Sequence, residues 1–232
     1  MKKRSVSKRS GTAPDRKAAG GRRGGSLLDK AYNEIKHRII TCHYRPGEVL
    51  SEASVSTELK IGRTPIHQAI HRLMMDDLVS ILPRKGIMVR PVSIDEAMEI
   101  VGVRTVTEGY CARLAAERAD DAELQRLQEI LDESEEATET RDVERLMLLD
   151  REFHDTLARA ARNKVLADTL RNLHERSLRF WFISLRDPDH HRRVLTQHRS
   201  IVEALRSRKP EAAEHAMREH INAFQRNITQ QV

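Results

Sequence analysis

Aromatic residues are scarce: Phe, Trp and Tyr together make up 3% of the 232 residues. Any buried core must therefore be aliphatic. There are only two cysteines, Cys42 and Cys111, and neither sits in a C-x-x-C pair. That excludes a disulfide framework and fits free thiols in a reducing cytoplasm. No apolar run approaches the ~18 residues a membrane span needs. The N-terminus is basic but has no apolar stretch behind it, which argues against a secretory signal. No segment recurs at a fixed period, so a solenoid is excluded as well.

What remains is a helix-forming palette. Hydrophobic residues reach 39% and charged residues 33%, with Leu, Ala, Arg and Glu abundant. The length suits one large domain or two modest ones. The net charge of +6 is unevenly placed: residues 1–25 carry nine Lys/Arg against Asp15 alone, so the rest of the chain is slightly acidic. This glycine-containing segment has almost nothing to fill a core and is predicted to be a disordered basic arm. Such an arm either tracks phosphates in a salt-dependent way or serves as a solubilising tail. An organelle transit peptide is a third, minor reading.

Folded structure is expected from Ser26. Leu28, Ala31, Tyr32, Ile35 and Ile39 have helical spacing up to about Thr41, and Pro46-Gly47 breaks the pattern. Ser51 offers a cap for a second helix bearing Val55 and Leu59, which stops at Ile61-Gly62. Thr64-Pro65 reads as the cap and first position of a third helix, with Ile66, Ala69, Ile70 and Leu73 inward. Two β-prone segments around Pro83-Arg84-Lys85-Gly86 then predict a hairpin. Helix, helix, tight turn, helix and basic hairpin is the order of a winged helix-turn-helix over residues 26–91. In that arrangement the third helix enters the DNA major groove. Its leading residues, Arg63, Thr64, His67 and Gln68, are the candidate base readers. Arg84 and Lys85 of the hairpin are placed to meet phosphates or a minor groove.

The run Pro46-Gly47-Glu48-Val49-Leu50-Ser51-Glu52, the segment from Gly62 to Leu73, Leu78-Val79 and the Pro83–Gly86 turn together resemble the DNA-binding domain of the GntR superfamily of bacterial transcription factors. The resemblance implies operator contacts for Arg63, Thr64 and Gly86. Three positions depart from the family pattern. Gly62 stands where Ser or Thr is frequent, His67 where Arg is common, and Ala53 where some members have Arg. These departures bear on the operator sequence.

Residues 92–232 read as six helices without strands, hence an antiparallel all-helical bundle. Ser93 and Glu96 have the spacing of a capping box at its start. On the third bundle helix the inward stripe is Val143, Leu146, Met147, Asp150, Phe153, His154, Leu157 and Ala161. On the fifth it is Val194, Leu195, His198, Ile201, Val202 and Leu205, and on the sixth Ala213, Met217, His220, Phe224 and Ile228. One Asp and three His thus face one core from three helices. A buried carboxylate is costly without a partner, and neutral imidazoles need partners too. A divalent metal (Zn, Ni or Mn) satisfies all four and leaves positions open for a ligand. The alternative is a set of hydrogen-bonded core histidines. On the first bundle helix Arg104 points inward with Glu108 four residues on. Either Glu108 neutralises it, or Arg104 grips a carboxylate that also reaches the metal. His174 and His215 fall outside the clearest stripes. These two, His190 and His191 beside Pro188, and His37, His43 and His71 read as surface or packing residues.

This second unit resembles the all-helical effector domain, FCD, of the FadR-type branch of GntR regulators, and six helices favour its VanR-like subgroup. The resemblance implies a metal held by Asp150, His154, His198 and His220, and an effector contact for Arg104. The expectation is a homodimeric cytoplasmic regulator, not an enzyme. It would bind a palindromic double-stranded operator, with its affinity changed by a small carboxylate effector and repression relieved on binding. The alternatives are a metal-dependent enzyme or a metal sensor fused to the DNA-binding module.

Overall fold

The computed structural model describes residues 26–91, 93–184 and 188–230. The basic arm, residues 1–25, and the Ile228 side chain lie outside the described residues. Three helices and a small sheet come first, with a separate aliphatic core; six further helices surround a second core. Among the described residues no helix is long and apolar enough to cross a membrane.

The first unit comprises α1 (Leu27–Ile40), β1 (Val49–Leu50), α2 (Glu52–Leu59), α3 (Arg63–Met75), β2 (Val79–Leu82) and β3 (Gly86–Val89). Its core is built from Ala31, Ile35, Ile39, Val55, Ile66, Ile70, Leu73 and Val89, all almost fully buried. Ser51 caps α2 through a reciprocal box with Ser54. The chain leaves α2 through Lys60 in the left-handed conformation at φ 54°. The next helix starts earlier than the sequence suggests. Gly62 is the N-cap, without a side-chain bond, and α3 begins at Arg63. Pro65 fits in the first turn because N–H groups there have no intrahelical partner. Arg63 and Thr64 therefore belong to the helix itself.

The sheet has three strands in the order β1-β3-β2, all antiparallel, so the hairpin is joined by a strand of two residues. Such a short strand has no alternation to read; Gly47 N–H to Val89 O and Val89 N–H to Glu48 O extend its pairing. Gly86 has φ +118°, and a Cβ there would run into the Leu50 carbonyl oxygen. The glycine of the wing thus lets β1 approach β3.

The second unit comprises α4 (Ile94–Arg118), α5 (Asp121–Thr140), α6 (Val143–Ala160), α7 (Lys164–Ser184), α8 (Pro188–Arg206) and α9 (Pro210–Gln230). Helix α4 packs along α9 and also against α6, α7 and α8. Asp120 and Glu123 form a full capping box for α5. The box expected at Ser93 is only half made. Ser93 accepts from the Glu96 N–H, while the Glu96 carboxylate turns to Arg176 instead.

The two units meet along α1 and α7. Lys36 of α1 forms an ion pair with Glu175 of α7, with both side chains buried. Arg179 donates to the Arg90 carbonyl at 2.6 Å.

Replacing Gly86 by Ala places a side chain where the backbone is both strained and crowded, a cost of about 1–3 kcal/mol. Urea unfolding of the full chain is expected to show that loss. An unchanged midpoint means β1 can withdraw from the wing without penalty.

Candidate functional site

The four residues expected to read bases lie on the third helix. Arg63, Thr64, His67 and Gln68 are exposed on α3, beside the exposed Arg84 and Lys85 of the wing. His67 is not a free donor: its Nδ1 lies 2.7 Å from the Glu52 carboxylate at the start of α2. That contact joins the two helices of the turn.

The second site lies within the helical unit. Asp150 and His154 project together from α6 because they are four residues apart. His198 comes from the middle of α8 and His220 from the middle of α9. The four offer one ligand atom each, all within 4.8 Å of one another, and all four side chains are buried. His198 Nε2 is 3.6 Å and His154 Nε2 4.0 Å from Asp150 Oδ1. Asp150 Oδ1, His154 Nε2 and His198 Nε2 are buried without a hydrogen-bond partner. Orphaned polar atoms of this kind cost about 1–3 kcal/mol each.

The Nδ1 atoms of His154 and His220 are committed, and this sets the tautomers of those two rings. His154 Nδ1–H donates to Glu108 Oε2 at 2.7 Å, and Arg104 Nε–H donates to Glu108 Oε1 at 2.5 Å. His220 Nδ1–H donates to Gln197 Oε1 at 3.0 Å. Both rings thus turn Nε2 inward as an available lone pair when neutral. The His198 ring stacks on Phe153 at 3.9 Å between centroids, with the planes 9° apart. One carboxylate and three imidazoles, aimed at one point and supported from behind, fit a divalent first-row cation.

His174 was expected to be a surface or packing residue; it belongs to this site. It is buried, its Nδ1 accepts from Arg104 Nη2 at 3.2 Å, and its Nε2 lies 3.5 Å from Asp150 Oδ2. Because Nδ1 is the acceptor, the proton of the neutral ring is on Nε2, facing Asp150. Its Nε2–H faces Asp150 without closing a hydrogen bond, and His174 also stands with Glu108 and His154 in a second buried group of potential ligands. His190 and His191 are buried too. His43, His71 and His215 are exposed as expected, and His37 is half-buried.

Burial opposes charge on Glu108, but Arg104 and His154 outweigh it and hold the carboxyl well below its usual range. Burial likewise opposes protonation of His154, yet Glu108 raises it above the ordinary histidine value. Burial pushes His174, His198 and His220 well below that value, so all three rings are neutral. Asp150 is raised, chiefly by burial.

A cavity of about 390 Å³ opens beside the cluster. Arg104, Arg193, Arg226, Ser177 and Asn227 supply much of its polar lining, with Leu178, Val194, Ile221 and Phe224 on the apolar side. Among the described residues Asp150 is its one acidic side chain. Glu108 takes one edge of Arg104, as one of the two sequence readings held, and Arg104 still faces the cavity.

Asp150→Asn is expected to raise the stability of the chelator-treated protein by about 1 kcal/mol in urea unfolding, because it removes an unpaired buried charge. The sign follows from the raised carboxyl. The cost of its charge is present at neutral pH, shrinks as pH falls through the folded value and vanishes below the unfolded value. A loss of more than about 2 kcal/mol would show that the Asp150 charge instead holds the cluster together.

Comparison with known proteins agrees with both halves. The model of the bacterial regulatory proteins of the gntR family matches residues 27–89, and that of the FCD domain matches residues 99–223. The HTH-type transcriptional repressor RspR of Escherichia coli is 28% identical over 199 residues, covering 86% of this chain and 87% of RspR. The Nta operon transcriptional regulator of Aminobacter aminovorans is 32% identical over 137 residues, covering 59% of this chain and 65% of that protein. Among solved structures, Escherichia coli McbR/YncC superposes with a TM-score of 0.81 at 23% identity, covering 89% of this chain and 99% of that one. The FCD match alone spans more than half of the chain. The chain belongs to the GntR family of DNA-binding transcriptional regulators, in the FadR-type branch that carries an FCD domain, and not to a family of enzymes.

Proposed function

We propose that this regulator holds a divalent cation with Asp150, His154, His198 and His220 and takes a small organic acid into the adjoining cavity, and that their occupancy sets its affinity for an operator. The observation that carries the reading is the convergence of orphaned buried donors on one point. A cation there would supply Lewis acidity and an attachment point for a ligand oxygen. Arg104, at the cavity wall, is placed to pair with an acidic group of the same ligand. Arg193 and Arg226 line the same cavity. Neither an enzyme nor a pure metal sensor explains this lining as well. Glu108, the one nearby candidate base, is held by Arg104 and His154, and a sensor has no use for the cavity.

The division of labour is an arm over residues 1–25, a DNA-binding domain over 26–91 and a metal- and effector-binding domain over 92–232. Arg63, Thr64, His67 and Gln68 read bases, while Arg84, Lys85 and Gly86 meet the backbone or minor groove. Two copies presenting two recognition helices would read a palindrome. The exposed Val103, Val106 and Tyr110 on one face of α4 suit contact with a second copy. The protein would act in the cytoplasm as a repressor released by its effector.

Two measurements test this. Chelator-stripped wild-type protein is expected to take up Zn²⁺ stoichiometrically, and the double variant His198→Ala/His220→Ala to take up none; full metal content in that variant places the ion elsewhere. Arg63→Ala is expected to lose sequence-specific binding to a duplex selected from a random pool while keeping weaker, salt-sensitive binding. Retained specificity in that variant would assign base reading to other residues.

A further inference from the structure

Helices α6 and α7 are joined by two consecutive contacts. Asp150 faces His174 at 3.5 Å inside the site. The next residue on each helix makes the next contact: Arg151 Nη2 donates to Glu175 Oε1 at 2.5 Å. The Asp150–His174 pair faces the metal cluster, whereas the Arg151–Glu175 pair is turned toward the DNA-binding unit. Glu175 also forms the buried ion pair with Lys36 of α1. Lys36 Nζ donates to the Tyr32 hydroxyl at 3.1 Å, and that hydroxyl donates to Asp76, the C-cap of α3. The guanidinium of Arg72, also on α3, sits 3.8 Å from the centre of the Tyr32 ring. A run of polar contacts thus leads from Arg151 and Glu175, the residues next to Asp150 and His174 on α6 and α7, to the recognition helix.

We infer that Glu175 is the coupling residue of this regulator: it transmits the position of α7 against the metal cluster to α3 through Lys36 and Tyr32. This rests on the metal reading proposed above. With metal–ligand bonds near 2.0–2.2 Å, the donors of a tetrahedral ion stand about 3.3–3.6 Å apart, so the 3.6 Å separation of His198 Nε2 from Asp150 Oδ1 already fits while the 4.0 Å separation of His154 Nε2 must shorten. Filling the site therefore draws in Asp150, and His174 and Arg151 tie that movement to α7. The same stretch of α7 is bolted to the segment between the two units. Arg176 reaches Asp77 at 3.6 Å as well as Glu96, and Arg179 holds the Arg90 carbonyl. A shift of α7 is thereby delivered to α1, the end of α3 and the connecting segment together. Such coupling needs the two occupancy states to differ in these contacts.

The test uses the full chain, Zn²⁺ as the probe and a duplex selected by the wild-type protein from a random pool. In wild type, Zn²⁺ is expected to change duplex affinity by at least about fivefold, and the duplex to change Zn²⁺ affinity by the same factor, as reciprocity demands. In Glu175→Gln, Zn²⁺ is expected to bind as before while the change in duplex affinity falls below about twofold. Because one unpaired buried charge can unfold the chain, Lys36→Met/Glu175→Gln is measured alongside; it removes both charges together. The inference is overturned if both variants bind Zn²⁺ and keep the full change. It is also overturned if wild type binds Zn²⁺ with no change in duplex affinity, an outcome that leaves the metal site standing. Absence of Zn²⁺ binding in wild type removes the metal site itself, and the coupling with it.

Discussion

The carboxylate of Glu108 is buried between a guanidinium and an imidazole, and the chemistry of the helical unit depends on it. One oxygen holds Arg104 and the other takes the Nδ1 proton of His154. With Nδ1 committed, the lone pair of a neutral His154 ring is at Nε2, facing Asp150. With Arg104 pinned, its free edge reaches His174 and decides which nitrogen of that ring carries a proton. Two charges that would each be prohibitive alone in this core are compensated locally. Asp150 is left as the negative group without such compensation, and that makes the centre of the cluster attractive to a cation.

The rest of the unit shapes that centre. Its core is mostly aliphatic, and two of its aromatic rings meet the site. Phe153 stacks on His198, and Phe224 lines the cavity within 5.8 Å of the Arg104 guanidinium. The donors are thus oriented by packing and by outer hydrogen bonds rather than by one another. A preorganised arrangement of this kind is stressed when empty, since polar atoms are buried unpaired. The stress is located at the site and not in the scaffold, whose helix caps and apolar faces agree with their neighbours.

Much of this was legible in the sequence. Asp150, His154, His198 and His220 interrupt clear apolar stripes, and 3.6-residue periodicity is enough to place them on inward faces. The winged helix-turn-helix followed from breakers and caps, although Pro65 set the expected start of α3 two residues late. His174 was missed although it lies on the inward line of Ala167, Leu170 and Leu178, all buried. The signal was masked by Glu175, Arg176 and Arg179, polar side chains that turn toward the DNA-binding unit. A helix that packs against a core on one side and a charged interface on the other shows no simple amphipathic stripe. The β1 strand was missed because two residues carry no period, and its pairing depends on a glycine nearly forty positions away.

What the sequence by itself determined was local: which segments are helical, where they start and stop, and which face of each is apolar. Those properties depend on neighbours within a few residues, so periodicity and capping suffice to read them. Tertiary structure alone decided which nitrogen of His154, His174 and His220 is engaged and that Glu108 serves Arg104 and His154 together. It also decided that consecutive residues on α7 face the Asp150–His154 cluster and the DNA-binding unit. These depend on contacts between helices far apart in the chain, where side-chain direction and donor–acceptor pairing are set by packing.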